Sequence, residues 1–278
     1  MRNGRRGSMG KNRKKYVAAA TLAALALVGV ALDTRLRVPF YTVETEELSI
    51  PVDMVLLADL HSCAYGEGQI DIVGRVRRLS PKAVLLAGDI VDDKLPEENA
   101  WITVSALAAE FPCFYVTGNH EWWSGEAERI CARMEQCGVT VLRGESAELA
   151  LDSGEVVRLY GIDDPESGLS ERQLSSLNVP EEDFTLLLAH RPEGITDYLA
   201  HPFDMVVSGH AHGGQWRFPG LVNGLYAPHQ GLLPRYAGGQ YQVDGADLIV
   251  SRGLSRESTR IPRLFNRPEL VVIQITPK

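Results

Sequence analysis

Eight side chains able to hold a metal ion or move a proton fall into five small groups along this chain. They are Asp59 with His61, Asp89, Asn119 with His120, His190, and His210 with His212, and they include five of the seven histidines. Imidazole, carboxylate and amide donors with no thiolate among them suit Mn, Fe, Zn or Ni rather than calcium or an iron–sulfur cluster. Setting His120 aside, the remaining seven are too many for one tetrahedral ion and right for two divalent ions sharing a carboxylate. Two such ions, about 3.5–4 Å apart, clamp the attacking and leaving oxygens of an in-line displacement at phosphorus. They also lower the pKa of a shared water, so that hydroxide is available near neutral pH. The chemistry to expect is phosphoester hydrolysis. Taken singly, each group has an ordinary explanation: Asp89 after Gly88 and Asn119 after Gly118 are common turn or cap residues, and a lone histidine is usually a satisfied polar side chain. Their joint occurrence points to one shared centre.

What precedes each group must bring them together. Residues 52–58 (VDMVLLA) run into Asp59, 83–87 (AVLLA) into Gly88-Asp89, and 113–117 (CFYVT) into Gly118-Asn119-His120. Residues 184–189 (FTLLLA) run into His190, and 205–208 (MVVS) into Gly209-His210. Short apolar runs bounded by turn residues read as buried strands. Between the first three lie 69–79 and 98–110, with apolar positions at helical spacing. The alternation predicts βαβ units in a layered α/β fold, where ligands gather at the carboxyl ends of the strands. Residues 139–160 read as shorter strands around the turn Asp152-Ser153-Gly154, and 247–251 and 269–275 as later strands. Residues 212–247, rich in Gly and Pro, read as a long surface loop. A single domain is expected over 38–278.

The 278 residues are 45% hydrophobic and 23% charged, which excludes disorder, collagen and a disulfide miniprotein as descriptions of the whole. The net charge of −8 conceals an asymmetry: residues 1–37 hold nine of the 28 basic residues and one acid, so the remainder carries 19 basic against 35 acidic residues. A body that acidic is a poor general binder of nucleic acid. Cys63, Cys113, Cys131 and Cys137 form no CxxC pair and read as buried or free thiols.

Residues 16–32 (YVAAATLAALALVGVAL) carry no charge and stand at the short end of what spans a bilayer as a helix. Seven basic residues precede them, which places the N-terminus in the cytoplasm by the positive-inside bias. A cleaved signal peptide would need small residues at a cleavage site, for which Gly29-Val30-Ala31 is a marginal candidate. The Arg5-Arg6 pair is too far from the apolar run to be a good twin-arginine signal. A soluble core helix fits poorly with an apolar surface all round. The expectation is an uncleaved signal-anchor over 16–32, a basic cytoplasmic tail over 1–15, and a catalytic domain over 38–278 on the extracytoplasmic side of the cytoplasmic membrane.

Asp59-Leu60-His61, Gly88-Asp89-Ile90-Val91-Asp92, Gly118-Asn119-His120-Glu121, His190 and Gly209-His210-Ala211-His212 together resemble, in order and spacing, the calcineurin-like metallophosphoesterase superfamily. The resemblance implies a four-layer α/β fold, a β-sandwich flanked by helices, with a dimetal site on loops at one end. It implies that Asp59, His61 and His212 hold one ion, that Asn119, His190 and His210 hold the other, and that Asp89 bridges them with a hydroxide as nucleophile. His120 would act catalytically, stabilising phosphoryl oxygens or protonating the leaving group, and Asp92 would orient a ligand.

A narrower resemblance spans roughly 45–276. His190-Arg191-Pro192-Glu193, His212-Gly213-Gly214-Gln215, Ser251-Arg252-Gly253-Leu254 and Asn266-Arg267-Pro268-Glu269 are similar to a bacterial branch of membrane-associated phosphodiesterases. That branch includes enzymes cleaving the pyrophosphate of UDP-2,3-diacylglucosamine; Ser255 departs from it where glycine is expected. Arg191 is a candidate phosphate contact or, equally, a structural ion pair. Arg252 and Arg267 are weaker candidates of the same kind. Trp122-Trp123 either packs or lines a pocket mouth, and His201 and His229 read as non-ligands. The expected activity is metal-dependent hydrolysis of a cell-envelope or lipid-linked phosphodiester, with no protein partner. A monoester phosphatase, a nucleotide phosphodiesterase and a metal-stabilised scaffold are the alternatives.

Overall fold

Apolar side chains fill both faces of the strands that lead into the candidate ligands, so both faces must be covered. The computed structural model describes residues 6–180, 182–256 and 261–278. Along the chain run helix α1 (Arg6–Ala31), strands β1 (Phe40–Thr45) and β2 (Val52–Leu57), α2 (Ile70–Leu79), β3 (Ala83–Ala87), α3 (Glu98–Ala108) and β4 (Cys113–Val116). Then come α4 (Asn119–Trp123), α5 (Ala127–Gln136), β5 (Thr140–Val141), β6 (Glu145–Ala150), β7 (Val156–Gly161), α6 (Ser170–Ser176), β8 (Phe184–Leu188) and α7 (Ile195–Tyr198). The last elements are β9 (Met205–Ser208), β10 (Tyr226–Ala227), β11 (Gly231–Leu232), β12 (Gly239–Val243), β13 (Ala246–Val250) and β14 (Val271–Pro277).

These strands form two six-stranded mixed sheets, ordered β1-β14-β2-β3-β4-β5 and β12-β13-β9-β8-β7-β6, and a small β10-β11 pair. In the first sheet β2, β3, β4 and β5 are parallel neighbours, and β14 is antiparallel to β2. In the second, β7, β8, β9 and β13 are parallel neighbours. The two-residue period of a strand divides the apolar residues between layers. Met54, Leu56 and Leu85 meet Leu159, Leu186 and Val207 between the sheets. Val55, Leu57 and Leu86 face outward under α2, α3 and α5, against Ile72, Val104 and Ile130. Leu187, Val206 and Leu248 face the opposite way, against Leu174 and Ile195 of α6 and α7. The result is the expected four layers, helix–sheet–sheet–helix, with central strands such as β3, β4, β8, β9 and β13 buried on both sides as parallel strands require.

One expectation needs correction. Residues 212–247 are not a plain loop but contain β10, β11 and β12. β12 is half-exposed at the sheet edge and bonded only to β13, so its sequence GQYQV carries no apolar run to announce it.

Helix α1 begins at Arg6, so the basic residues from there to Lys15 continue the same helix as the apolar segment; Arg2 and Arg5 of the basic tail lie outside the described residues. Residues 14–31 are long and apolar enough to cross a membrane. Their apolar side chains are open on all sides, Tyr16 at 75% and Leu22 at 68% exposure, which is not the surface of a soluble core helix. At its foot the helix meets the domain: the Phe265 N–H donates to the Ala31 carbonyl at 2.7 Å.

Candidate metal centre

The loops after β2 and β3 run side by side. The Asp59 N–H donates to the Gly88 carbonyl at 3.1 Å, and the His61 N–H to the Asp89 carbonyl at 2.9 Å. The loops after β8 and β9 are tied likewise, Gly209 N–H to His190 carbonyl at 3.0 Å. The two sheets are joined at this rim by the His210 N–H, which lies 3.0 and 3.1 Å from the Asp59 carboxylate oxygens. Close approach is possible because Gly88 has φ +78° and no Cβ; one would stand 2.6 Å from His190 Nδ1. Five of the seven expected ligands, Asp59, His61, Asp89, His210 and His212, have φ between 46° and 64°. Non-glycine residues rarely occupy that left-handed region, and such strain gathers at functional sites.

The structure brings the expected residues together. Ligand atoms of Asp59, His61, Asp89 and His212 lie within 4.8 Å of one another, and so do those of Asp89, His190 and His210. Asp89 belongs to both groups: its Oδ2 is 3.6 Å from His61 Nε2 and 3.2 Å from His190 Nε2. Asn119, 2% exposed, follows Gly118 directly, and the next N–H, that of His120, donates to Asp89 Oδ1 at 2.8 Å.

Each imidazole has at least one nitrogen held by the protein. His61 Nδ1 is 2.9 Å from Asp92 Oδ2, His190 Nδ1 is 2.8 Å from the Ala87 carbonyl, and His212 Nδ1 is 2.9 Å from Ser255 Oγ. His210 Nε2 is 2.9 Å from His229 Nδ1, while its Nδ1 lies 3.2 Å from His190 Nε2. Such partners fix tautomer and ring orientation in metal sites.

A divalent cation fits this arrangement on the chemistry of the donors. His61 Nε2, Asp89 Oδ2 and Asn119 Oδ1 are buried with no hydrogen-bond partner among the described residues. Buried polar atoms are ordinarily satisfied, and three orphans in one cluster mark a place for a ligand. The electrostatics agree. Burial opposes charge on Asp89, but His190, with His61 and His120, outweighs it and holds the carboxyl well below its ordinary range. Burial opposes charge on His190 too, yet Asp89 and Asp59 push it up to about 10. Asp59 is raised to about 6 by burial, relieved in part by His190. His210 and His212 are held well below the usual histidine value, first by burial and then by His190 and His61 respectively. The buried carboxylates favour positive charge beside them, and neutral imidazole is the form that binds metal.

Glu121 holds the cluster from behind. Fully buried, it accepts backbone N–H groups of Asp89 and Gly118 on Oε2 (3.0 and 2.8 Å) and of Ile90 and Val91 on Oε1 (2.8 and 3.0 Å). Burial and Asp89 together raise it to about 7. Glu121→Gln, which turns an amide NH2 toward two of these donors, is expected to lose about 1–3 kcal/mol of stability in urea denaturation.

His120 does not join the ligand groups of Asp89. Its Nδ1 is 2.7 Å from Asp93 Oδ1, burial holds it below the usual histidine value, and its ring centroid is 5.0 Å from that of Trp123. The tryptophan pair divides: Trp122 Nε1 donates to Thr117 Oγ1 at 2.9 Å, while Trp123 is 52% exposed beside His120.

Of the two expectations for Arg191, the ion pair is the one formed. Its Nε and Nη2 donate to the two Asp164 oxygens, both at 2.7 Å, so the fork that would grip a phosphate is already engaged. Arg191 is 7% and Asp164 1% exposed. Arg191→Ala would strand a buried carboxylate and is expected to cost about 3–5 kcal/mol by the same denaturation measurement.

Sequence reading missed three partners. His229, expected to be a non-ligand, touches His210; Glu193, with both carboxylate oxygens buried and making no hydrogen bond among the described residues, completes a group with His210 and His229 that could hold a metal. Ser255, the departure from glycine, steadies His212. Only its position after Leu254 signalled it, and His229 in a Gly/Pro-rich segment gave no signal. His201 stays beside Phe203, with ring centroids 6.0 Å apart.

Residues 54–214 match the family model described as calcineurin-like phosphoesterase. The chain is 30% identical over 258 residues to an uncharacterized metallophosphoesterase of Aquifex aeolicus, covering 87% of this chain and 93% of that protein. It is 29% identical to phosphodiesterase YaeI of Escherichia coli, over 81% of this chain and 82% of that one. A transmembrane protein with metallophosphoesterase domain from Bos taurus is 27% identical over 98% of this chain and 66% of its own length.

Proposed function

Because the chain belongs to the calcineurin-like phosphoesterase family, we propose that its Asp/His/Asn cluster is the catalytic centre of a two-metal phosphodiesterase. The observation that carries this reading is the sharing of Asp89 by both groups of ligand atoms, with its buried Oδ2 standing between His61 Nε2 and His190 Nε2. Asp59, His61 and His212 would hold one divalent ion, Asn119, His190 and His210 the other, and Asp89 would serve both. When bound, such ions supply Lewis-acid polarisation of the phosphoryl group and acidify water.

The chain's own residues do the positioning. Asp92, Ala87, Ser255 and His229 aim the four imidazoles, and Glu121 keeps the loops of Asp89 and Asn119 together. His120, anchored through Nδ1 on Asp93, has Nε2 left to meet a phosphoryl or leaving-group oxygen. The half-open Trp123 ring beside it offers an apolar surface for the second ester arm of a diester, which favours a diester over a monoester.

Residues 16–32 would act as an uncleaved signal-anchor, with 1–15 cytoplasmic and the phosphoesterase domain of 38–278 on the extracytoplasmic side. The exposed apolar helix supports a membrane location, as does the name of the bovine relative. A cell-envelope or lipid-linked diester follows from that location alone.

The test is hydrolysis of bis(p-nitrophenyl) phosphate and p-nitrophenyl phosphate by the full chain in neutral detergent, metal-stripped and then titrated with Mn²⁺. Metal-dependent turnover with the diester preferred is the expected result. Turnover of the monoester alone would replace the reading with a phosphatase, and metal binding without either turnover would point to the scaffold.

A further inference from the structure

Four arginines, Arg37, Arg217, Arg252 and Arg267, line a cavity of about 570 Å³ at the foot of α1, together with Phe265 and Leu221. None of these residues belongs to the candidate metal cluster. The cavity is fixed to the end of the apolar helix by short links. The Phe265 N–H donates to the Ala31 carbonyl, the Arg37 N–H to the Pro268 carbonyl at 2.9 Å, and Arg267 Nε and Nη2 to the Arg35 and Leu36 carbonyls at 2.8 and 3.2 Å.

The charge here runs against that of the domain. With Arg35 the region carries five guanidinium groups against two carboxylates, Asp33 and Glu269. Asp33 pairs with Arg35 and lies 3.4 Å from Arg267; Glu269 lies 3.4 Å from Arg252 and 4.0 Å from Arg37. That leaves an excess of three positive charges in a chain of net charge −8. Arg217 is the sharpest case. It is 7% exposed, its side-chain partners are the Gly213 carbonyl at 3.1 Å and Asn223 Oδ1, and no carboxylate lies within ion-pair distance among the described residues. Burial, then Arg252, pulls it down to about 10, away from the usual arginine value. A buried cation without a counter-charge is costly, and a planar guanidinium is suited to phosphate.

The lip of the cavity is apolar. Leu221 on the lining is 88% exposed, and Phe218, next to the lining residue Pro219, is 40% exposed. Exposed apolar side chains around a basic hollow, at the root of a helix able to enter a bilayer, complement one chemistry: a phosphate headgroup carrying acyl chains. We infer that the arginine cavity binds the headgroup phosphate of an anionic phospholipid in the leaflet facing the domain, seating the domain on the membrane surface. This rests on the anchor reading above for the lipid's presence.

The experiment uses the full chain in neutral detergent micelles, titrated separately with phosphatidylglycerol, phosphatidylcholine and inorganic phosphate, with retained ligand counted by native mass spectrometry. Phosphatidylglycerol should bind at least about tenfold more tightly than phosphatidylcholine, and Arg217→Gln should weaken it by about tenfold or more. Arg37→Gln, at a half-exposed position, serves the same purpose where Arg217→Gln disturbs folding. Equal retention of the two lipids, or phosphatidylglycerol binding indifferent to both variants, would overturn the inference. Inorganic phosphate binding as tightly as phosphatidylglycerol, and lost in the same variants, would overturn it in favour of a free-phosphate site. Carbonate extraction of membranes reads the anchor separately: a chain released by carbonate overturns the anchor, while the micelle titration decides the cavity.

Discussion

Asp89→Asn is expected to abolish metal binding and turnover together. Asp89 supplies the one carboxylate common to both groups of ligand atoms, and its Oδ2 stands between His61 and His190 at 3.6 and 3.2 Å. Asparagine keeps the shape and loses the charge. Oδ1 would still be able to accept the His120 N–H, so the loop geometry survives better than with alanine. Removing the charge proposed to serve both ions would forfeit several kcal/mol of electrostatic stabilisation, on the order of a 10³-fold fall in kcat or more. Metal content by atomic spectroscopy, read beside the rate, checks it. A variant that kept two equivalents of metal and near-normal turnover would remove Asp89 from the centre of the mechanism.

His120→Gln is expected to give the complementary result: metal retained, turnover reduced by about 10²–10⁴-fold. The reason is where each part of the residue acts. Its backbone N–H holds Asp89 at 2.8 Å and is unaffected by the substitution, while its ring is held by Asp93 and does not belong to the Asp89 ligand groups. The loss should fall on kcat rather than on metal affinity, and more heavily on substrates with poor leaving groups if the ring donates a proton. Comparing bis(p-nitrophenyl) phosphate with an alkyl diester measures that difference. Loss of metal in His120→Gln would instead make the ring part of the ligand set.

Much of this was legible in the chain. The runs 83–87 and 205–208 are β3 and β9 residue for residue, and 52–58, 113–117 and 184–189 overrun β2, β4 and β8 by a single residue each. Strands buried on both faces need unbroken apolar runs, and a run of that kind can be read within a few residues. β12 escaped because an edge strand exposed on one side needs no such run. The seven candidate ligands could be picked out because donor chemistry belongs to the residue type, and because small or turn residues stand beside each group.

What sequence alone determined about this protein is therefore local: which segments extend, which residues end them, and that imidazole, carboxylate and amide donors stand at those ends. Tertiary structure decided which donors face one another. The His190–Ala87 hydrogen bond joins residues 103 positions apart and the His210–Asp59 contact spans 151, so both depend on how the strands align and how the two sheets meet. The same holds for Arg191, whose phosphate-like grip is taken by Asp164, for His229, which reaches His210 from an irregular segment, and for the arginines gathered beneath α1. Hydrophobic periodicity acts over a turn or a strand, whereas the direction of a side chain at a strand end is set by packing against elements far away in the chain.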